Sequence, residues 1–385
     1  MKILIASDVY HSQINGVVTS IDILMKELET DGHEVRILTL SDNLKSYIDG
    51  NIYYNSSVSA IIYPNMRMFP RLNRTIHKDI LNWKPDLIHT QSEFSVFHFA
   101  RLIAKQLNIP IVHTYHTLYQ YYVGYLLPVK RIGDYVTKMY FHNILNKSDC
   151  VIAPTKKVKE YLDHYNIDSE IKIVPTGIVR ELPKQISESR KMELMEAYHI
   201  DPNKKILLSV GRLGTEKNLD ELLMNMGDLV KLRDDVQMII VGDGPYRKEL
   251  EAMVKTMGLG EHILFTGMIA HDEINEIYQL GDLFVSASTS ETQGLTVLEA
   301  MMNGLPLVCR EDKSIDNVLV ERVNGYTYKD RFVAVDCMNK LLSEPELHKA
   351  FSEDSKKIAK TFSTESFAKK ISDIYKQASL LYNVS

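Results

Sequence analysis

KILIASDVYHSQINGVVTSIDILMKELETDGHEVRILT, residues 2–39, holds the unit from which the rest of the chain is read. KILIAS (2–7) is an apolar run the length of one buried strand. From Val17 to about Thr30 the apolar residues recur at helical spacing, and EVRILT (34–39) is a second strand candidate. Apolar strands joined through a helix mark a parallel pair buried on both faces. The unit recurs. AIIY (60–63), DLIH (86–89), PIVHT (110–114), CVIAP (150–154) and IKIVP (171–175) continue a first series. KILLSVG (205–211), VQMIIVG (236–242), HILFTG (262–267), LFVSA (283–287) and LPLVC (305–309) form a second. Each series predicts one doubly wound α/β domain, with the joint in the charged stretch near 178–203. The expected domains are 1–178 and 179–363, facing each other across a cleft. An amphipathic helix over 364–385 has no strand after it.

Composition agrees with this division. A chain of 385 residues, 45% hydrophobic and 25% charged, has enough apolar side chain for two cores and is unlike a disordered chain. Cys150, Cys309 and Cys337 are far apart and include no CxxC pair, which predicts neither a disulfide framework nor a zinc cage and fits a reducing cytoplasm. Charge returns at Asp8, too early for the apolar region of a signal peptide. No formal charge lies between Lys105 and Lys130, a length that could span a bilayer. His113, His116, Gln106, Asn108, Pro110 and Pro128 make such a span costly, so a buried strand and a tyrosine-rich segment are expected instead, with no membrane crossing.

The net charge of −5 gives no reason to expect nucleic acid as a partner. It conceals an imbalance: residues 61–147 carry 11 Lys and Arg against 4 Asp and Glu. RMFPRLNRTIHKDILNWK (67–84) and YLLPVKRIGDYVTKMYFHNILNK (125–147) interleave these cations with aromatic and aliphatic residues. That composition suits an interfacial helix on anionic lipid, and it equally suits an amphipathic helix packed on a sheet.

Candidate chemistry lies at the strand ends. In SASTSETQGLTVLEAMMNGLPLV (286–308) a strand runs through a polar turn into a helix that starts near Gly294 or Leu295. The amides of Gln293, Gly294, Leu295 and Thr296 would then form a helix N-terminus suited to phosphate oxygens. Glu291 in the turn could accept from sugar hydroxyls, and Glu299, eight positions on, from a ribose diol. SVGRLGTEKN (209–218) places Arg212 and Lys217 on one strand-end loop, where two cations can converge on a diphosphate. VGDGPYRKEL (241–250) is a glycine turn that falls short of a dinucleotide fingerprint. YHSQINGVVTS (10–20) puts Gly16 near a helix start, and HTYHTLYQYY (113–122) puts His113, His116, Tyr119 and Tyr122 after a strand. Nucleotide-triphosphate P-loops, HExxH and G-x-S-x-G are absent from the sequence.

Taken together, the Gly16 loop, the His116 segment, Arg212 with Lys217, the GDGP turn and Glu291-x7-Glu299 resemble the retaining glycosyltransferases of family 4 along nearly the whole chain. HTYHTLYQYYVGY (113–125) and SASTSETQGLTVLEA (286–300) look most like the bacterial enzymes that glucosylate diacylglycerol. The resemblance implies a GT-B fold: two Rossmann-like domains, with the last helix crossing back to the first. It implies a nucleotide-sugar donor, UDP-glucose, whose diphosphate meets Arg212 and Lys217, whose ribose meets Glu299 and whose sugar meets Glu291. His116 would act on the donor sugar from the other domain, Gly16 would help cradle it, and Tyr119 and Tyr122 would contact the acceptor. Transfer would be front-side with retention, assisted by the leaving phosphate. No resident metal or other cofactor is expected, although Mg2+ could stimulate. The implied acceptor is diacylglycerol at an anionic membrane surface, on the cytoplasmic face. Another lipid or sugar acceptor, another donor sugar, or a nucleotide-sugar epimerase are the alternative readings.

Overall fold

The computed structural model of the protein describes residues 1–10, 16–59, 67–69, 71–119, 130–270 and 273–382, and for 130–137 the backbone alone. Two compact units divide the chain: Met1–Gly177 with Thr364–Ser385, and Ile178–Ser363.

The strands of the first unit are β1 (Lys2–Ala6), β2 (Glu34–Leu40), β3 (Tyr47–Asp49), β4 (Ile52–Asn55), β5 (Val58–Ser59), β6 (Arg67–Met68), β7 (Leu87–Thr90), β8 (Ile111–Thr114), β9 (Cys150–Ala153) and β10 (Glu170–Ile173). Eight of them form one sheet in the order β10-β9-β8-β7-β1-β2-β4-β3. Neighbours run parallel except in the β3–β4 hairpin. Helices α1 (Gly16–Thr30), α2 (Arg74–Trp83), α3 (Ser95–Leu107), α4 (Lys130–Leu145) and α5 (Lys156–Asp163) connect them. Side chains alternate across β1 as the pleat requires: Ile3 and Ile5 join one core, Leu4 and Ala6 the other.

Of the two readings open for 67–84, the structure shows the packed helix. Ile76, Ile80 and Trp83 of α2 are buried in the core that includes Leu4, Leu38 and Ile88. Trp83 lies under the Arg36 guanidinium, 4.5 Å from its ring centroid. In α4, Phe141, Ile144 and Leu145 are likewise buried. AIIY (60–63) falls outside the described residues, while β3 and β4 occupy a stretch with no long apolar run to signal them.

The second unit contains α6 (Glu188–Ala197), β11 (Lys205–Val210), α7 (Leu219–Leu229), β12 (Val236–Val241), α8 (Arg247–Thr256), β13 (Ile263–Gly267), α9 (Ile274–Tyr278), β14 (Leu283–Ser286), α10 (Leu295–Met302), β15 (Leu307–Arg310), β16 (Gly325–Tyr328), α11 (Arg331–Ser343) and α12 (Pro345–Ala359). Its six strands are all parallel, in the order β13-β12-β11-β14-β15-β16. The final helix, α13 (Thr364–Tyr382), belongs to the first unit. Its Phe367, Ala368, Ile371, Ile374, Tyr375 and Ala378 recur at helical spacing and bury against Ile21, Leu24 and Leu28 of α1. No helix among the described residues is long and apolar enough to cross a membrane.

Candidate functional site

In the second unit the strand order reverses between β11 and β14. Successive connections leave in opposite directions there, and the loops after the two strands part to open a crevice at their carboxyl ends. The loop after β11 and the loop after β14 bring Arg212, Lys217, Ser288, Glu291 and Thr296 to the wall of one pocket. Lys217 Nζ donates to Glu291 Oε1 at 2.5 Å, and Ser288 Oγ donates to the same oxygen at 2.8 Å. Arg212 Nη1 stands 3.6 Å from Oε1 of the buried Glu216.

The GDGP turn braces this loop from behind. Leu213 N donates to Asp243 O at 3.0 Å, and Tyr246 N returns a bond to Leu213 O at 3.0 Å. A Cβ at Gly242 would strike the Gly211 carbonyl, and one at Gly244 the Leu213 backbone. The glycines that resembled part of a dinucleotide fingerprint therefore serve close backbone packing.

Gly294 has φ +74° and is the residue before α10, at the N-cap position, where it brings no side chain of its own. Leu295 and Thr296 open the helix, Gln293 is buried just before it, and the first-turn amides carry the positive end of the helix dipole. One turn on, Glu299 Oε2 accepts from Tyr278 Oη at 2.8 Å. Burial pushes the Glu299 carboxyl up to about 7, against the lowering effect of that bond. Two cations, the Glu291 carboxylate and the start of α10 thus meet at one switch point, a set suited to a diphosphate beside hydroxyl groups. Glu299 lies one turn further along the helix and is not among the residues that line the pocket.

The first unit has its own switch point, between β1 and β7. His116 follows β8, and its Nε2 lies 2.6 Å from Gln91 Oε1. Burial, aided by the nearby His113, lowers its pKa to about 3, so the ring is neutral at physiological pH. Tyr119 uses its hydroxyl inward, donating to Glu93 Oε2 at 2.6 Å, and stacks on Phe141 at 4.7 Å. His113 lies within β8, fully buried, 2.8 Å from Thr90 Oγ1 and 3.3 Å from Glu93 Oε1. Gly16 is the first residue of α1 and is exposed. Tyr122 lies outside the described residues.

Four residues here escaped the sequence reading: Asp8, His89, Gln91 and Glu93. Asp8, at the end of β1, accepts from Ser92 Oγ at 2.6 Å, Val96 N at 3.0 Å and Phe94 N at 3.2 Å. It thereby supplies α3 with the cap that Phe94 lacks. Burial raises its pKa to about 6, against those bonds. The polar run HTQSEF (89–94), which ends β7 and continues into the loop after it, carried the same strand-end signal that singled out 113–122. Among the described residues no three His, Cys, Asp or Glu side chains converge as a metal site requires.

Two family models match, Glycosyltransferase Family 4 over residues 14–182 and Glycosyl transferases group 1 over 190–358. An alpha-monoglucosyldiacylglycerol synthase of Streptococcus pneumoniae is 34% identical across the whole chain and 87% of its own length. Another, from Acholeplasma laidlawii, is 27% identical over 97% of this chain and 96% of its own. Among solved structures, Anabaena HepE in complex with UDP superimposes with a TM-score of 0.77 at 17% identity, covering 98% of this chain and 100% of that one. The two doubly wound units, the paired family matches and the full-length relatives agree: the chain belongs to glycosyltransferase family 4 and is a glycosyltransferase of GT-B fold.

Proposed function

We propose that the protein transfers glucose from UDP-glucose to diacylglycerol, with retention, giving α-monoglucosyldiacylglycerol. One observation carries the donor half of the reading: Arg212, Lys217 and Glu291 line a single pocket together with Thr296 at the start of α10. In this reading Arg212 and Lys217 neutralise the diphosphate, assisted by the amides of Gln293 to Thr296. Glu291 accepts from the sugar hydroxyls and Glu299 from the ribose diol. His116 acts on the donor sugar, Gly16 helps hold it, and Tyr119 and Tyr122 belong to the acceptor side. The bond from the sugar's anomeric carbon to the β-phosphate oxygen breaks as the acceptor oxygen bonds to that carbon on the same face. The acceptor proton passes to the departing phosphate. Catalysis then rests on positioning and on cations aimed at the charge that develops. These cations belong to the chain, so the reading includes no resident metal or cofactor.

The lipid acceptor is supported by full-length similarity to two proteins named alpha-monoglucosyldiacylglycerol synthases. Such an acceptor places the protein on the cytoplasmic face of the membrane as a peripheral protein, held by anionic lipid. Incubation with radiolabelled UDP-glucose and a panel of lipid acceptors, followed by extraction, tests the whole reading. Label in an alkali-labile monoglucosyl lipid made only from diacylglycerol is the expected result. Label in another lipid, or in a soluble sugar, would replace the acceptor. Preference for a different nucleotide-sugar would replace the donor.

A further inference from the structure

We propose that Gln91 and His89, secured from behind by Tyr375 of the C-terminal helix, are positioning residues that hold His116 in the tautomer protonated on Nε2, so that Nδ1 is offered as an acceptor to a sugar hydroxyl. The inference rests on the reading of His116 as a contact to the donor sugar.

The chain of contacts begins at His116, whose Nε2 is 2.6 Å from Gln91 Oε1. An amide oxygen only accepts, so that ring nitrogen carries the proton and Nδ1 keeps its lone pair. The amide's orientation is set by His89. Gln91 Nε2 is 3.2 Å from both ring nitrogens of His89. Equal distances place it over the ring face, because an in-plane approach midway between the nitrogens would collide with Cε1. An amide N–H over a π face is attractive, whereas an amide oxygen there would meet the ring's negative charge. Turning the amide over would lose that contact and point a donor at His116 Nε2.

His89 is in turn immobile. Its in-plane positions are both occupied, Nδ1 by Tyr375 Oη at 2.6 Å and Nε2 by Thr114 Oγ1 at 2.7 Å. The Tyr375 ring meets it edge-on, with centroids 5.5 Å apart and planes at 77°. His89 and Tyr375 are fully buried and Gln91 nearly so, which keeps water from competing for these bonds. Burial also lowers the pKa of both histidines, so the quantity being set is a tautomer and not a charge. The final helix therefore does more than cover apolar surface: its buried Tyr375 hydroxyl ends a relay that begins at His116.

The test uses the full chain labelled with 15N at histidine. Long-range 1H–15N correlation should show His116 protonated on Nε2. Gln91→Leu should shift its ring nitrogens toward a tautomer mixture and lower kcat for glucose transfer about tenfold, with KM for UDP-glucose changed less than about twofold. Tyr375→Phe keeps the packing and removes only the hydroxyl, and should give about a threefold fall in kcat with a shift in the same direction. If Gln91→Leu does not fold, Gln91→Met and Tyr375→Phe carry the same two readouts. A wild-type His116 protonated on Nδ1 would overturn the proposal, and so would unshifted nitrogens with unchanged kcat in the variants. Wild-type kcat in His116→Ala would instead overturn the role of His116 as a sugar contact, a separate outcome.

Discussion

Lys217 and Glu291 face each other across 2.5 Å, each with about a fifth of its side chain exposed. Removing Lys217 takes away a cation aimed at the pocket and leaves a partly buried carboxylate short of its main counter-charge. Lys217→Ala and Arg212→Ala should each lower kcat/KM for the nucleotide-sugar about 10²–10³-fold. Titration calorimetry should show weaker UDP binding in both, and unchanged affinity would remove them from the donor site. Glu299 adds a pH signature. Its carboxyl, raised to about 7 by burial, is half protonated near neutrality. A ribose diol donating to it favours the carboxylate, so UDP affinity should climb with pH up to about 7 and level off above. In Glu299→Gln the climb attributable to this group should vanish. Stability runs the other way. Folding raises this pKa from its ordinary 4.5, so the fold favours the protonated form. That contribution is complete below about 4.5 and is lost as pH rises through about 7. Glu299→Gln should therefore raise Tm at pH 8 but not at pH 4.5.

At the level of elements, the loop from β14 into α10 shows how much local sequence can say. The polar turn, the glycine and the apolar helical run predicted a helix starting at Gly294 or Leu295, and α10 starts at Leu295. The reason for glycine there is visible only in the backbone: φ is +74°, a region that costs other residues about 1–2 kcal/mol. A Cβ would make ordinary contact with Val297 Cγ2 at 3.4 Å, so the strain is in the backbone and not in packing. Gly294→Ala should fold, lose about 1–2 kcal/mol in urea denaturation, and raise KM for the donor by tilting the α10 amides. Buried parallel strands such as β1, β11 and β12 were legible because two covered faces demand unbroken apolar runs. The β3–β4 hairpin and β16 are short, with exposed or half-exposed positions among tyrosines, and nothing in their composition separates them from loops.

At the scale of the molecule, the last helix ties the end of the chain to its first domain. Ile371 is fully buried between α1 and the sheet, and Thr364 Oγ1 donates to Glu27 Oε1 at 2.9 Å where the helix begins. Ile371→Ala should cost about 2–5 kcal/mol. Hydrogen exchange should show the loss concentrated in α1, α13 and the strands beneath them. Equal acceleration throughout 178–363 would mean that the helix is not specific to the first unit. Legible in local sequence were the α/β class, the two strand series, the amphipathic character of the last helix, and the strand-end loops whose Arg212, Lys217, Glu291 and Thr296 line one pocket. Each of these follows from a run or spacing of a few neighbouring residues, in which burial and backbone hydrogen bonding impose a short period. Tertiary structure was needed to show that the interfacial-looking helix with Trp83 packs inward, that the GDGP turn is a brace, and that Asp8 caps a helix through the amide of Val96, 88 positions away. It alone placed Tyr375 beside His89, 286 positions apart, because such contacts depend on strand order, which no local pattern encodes.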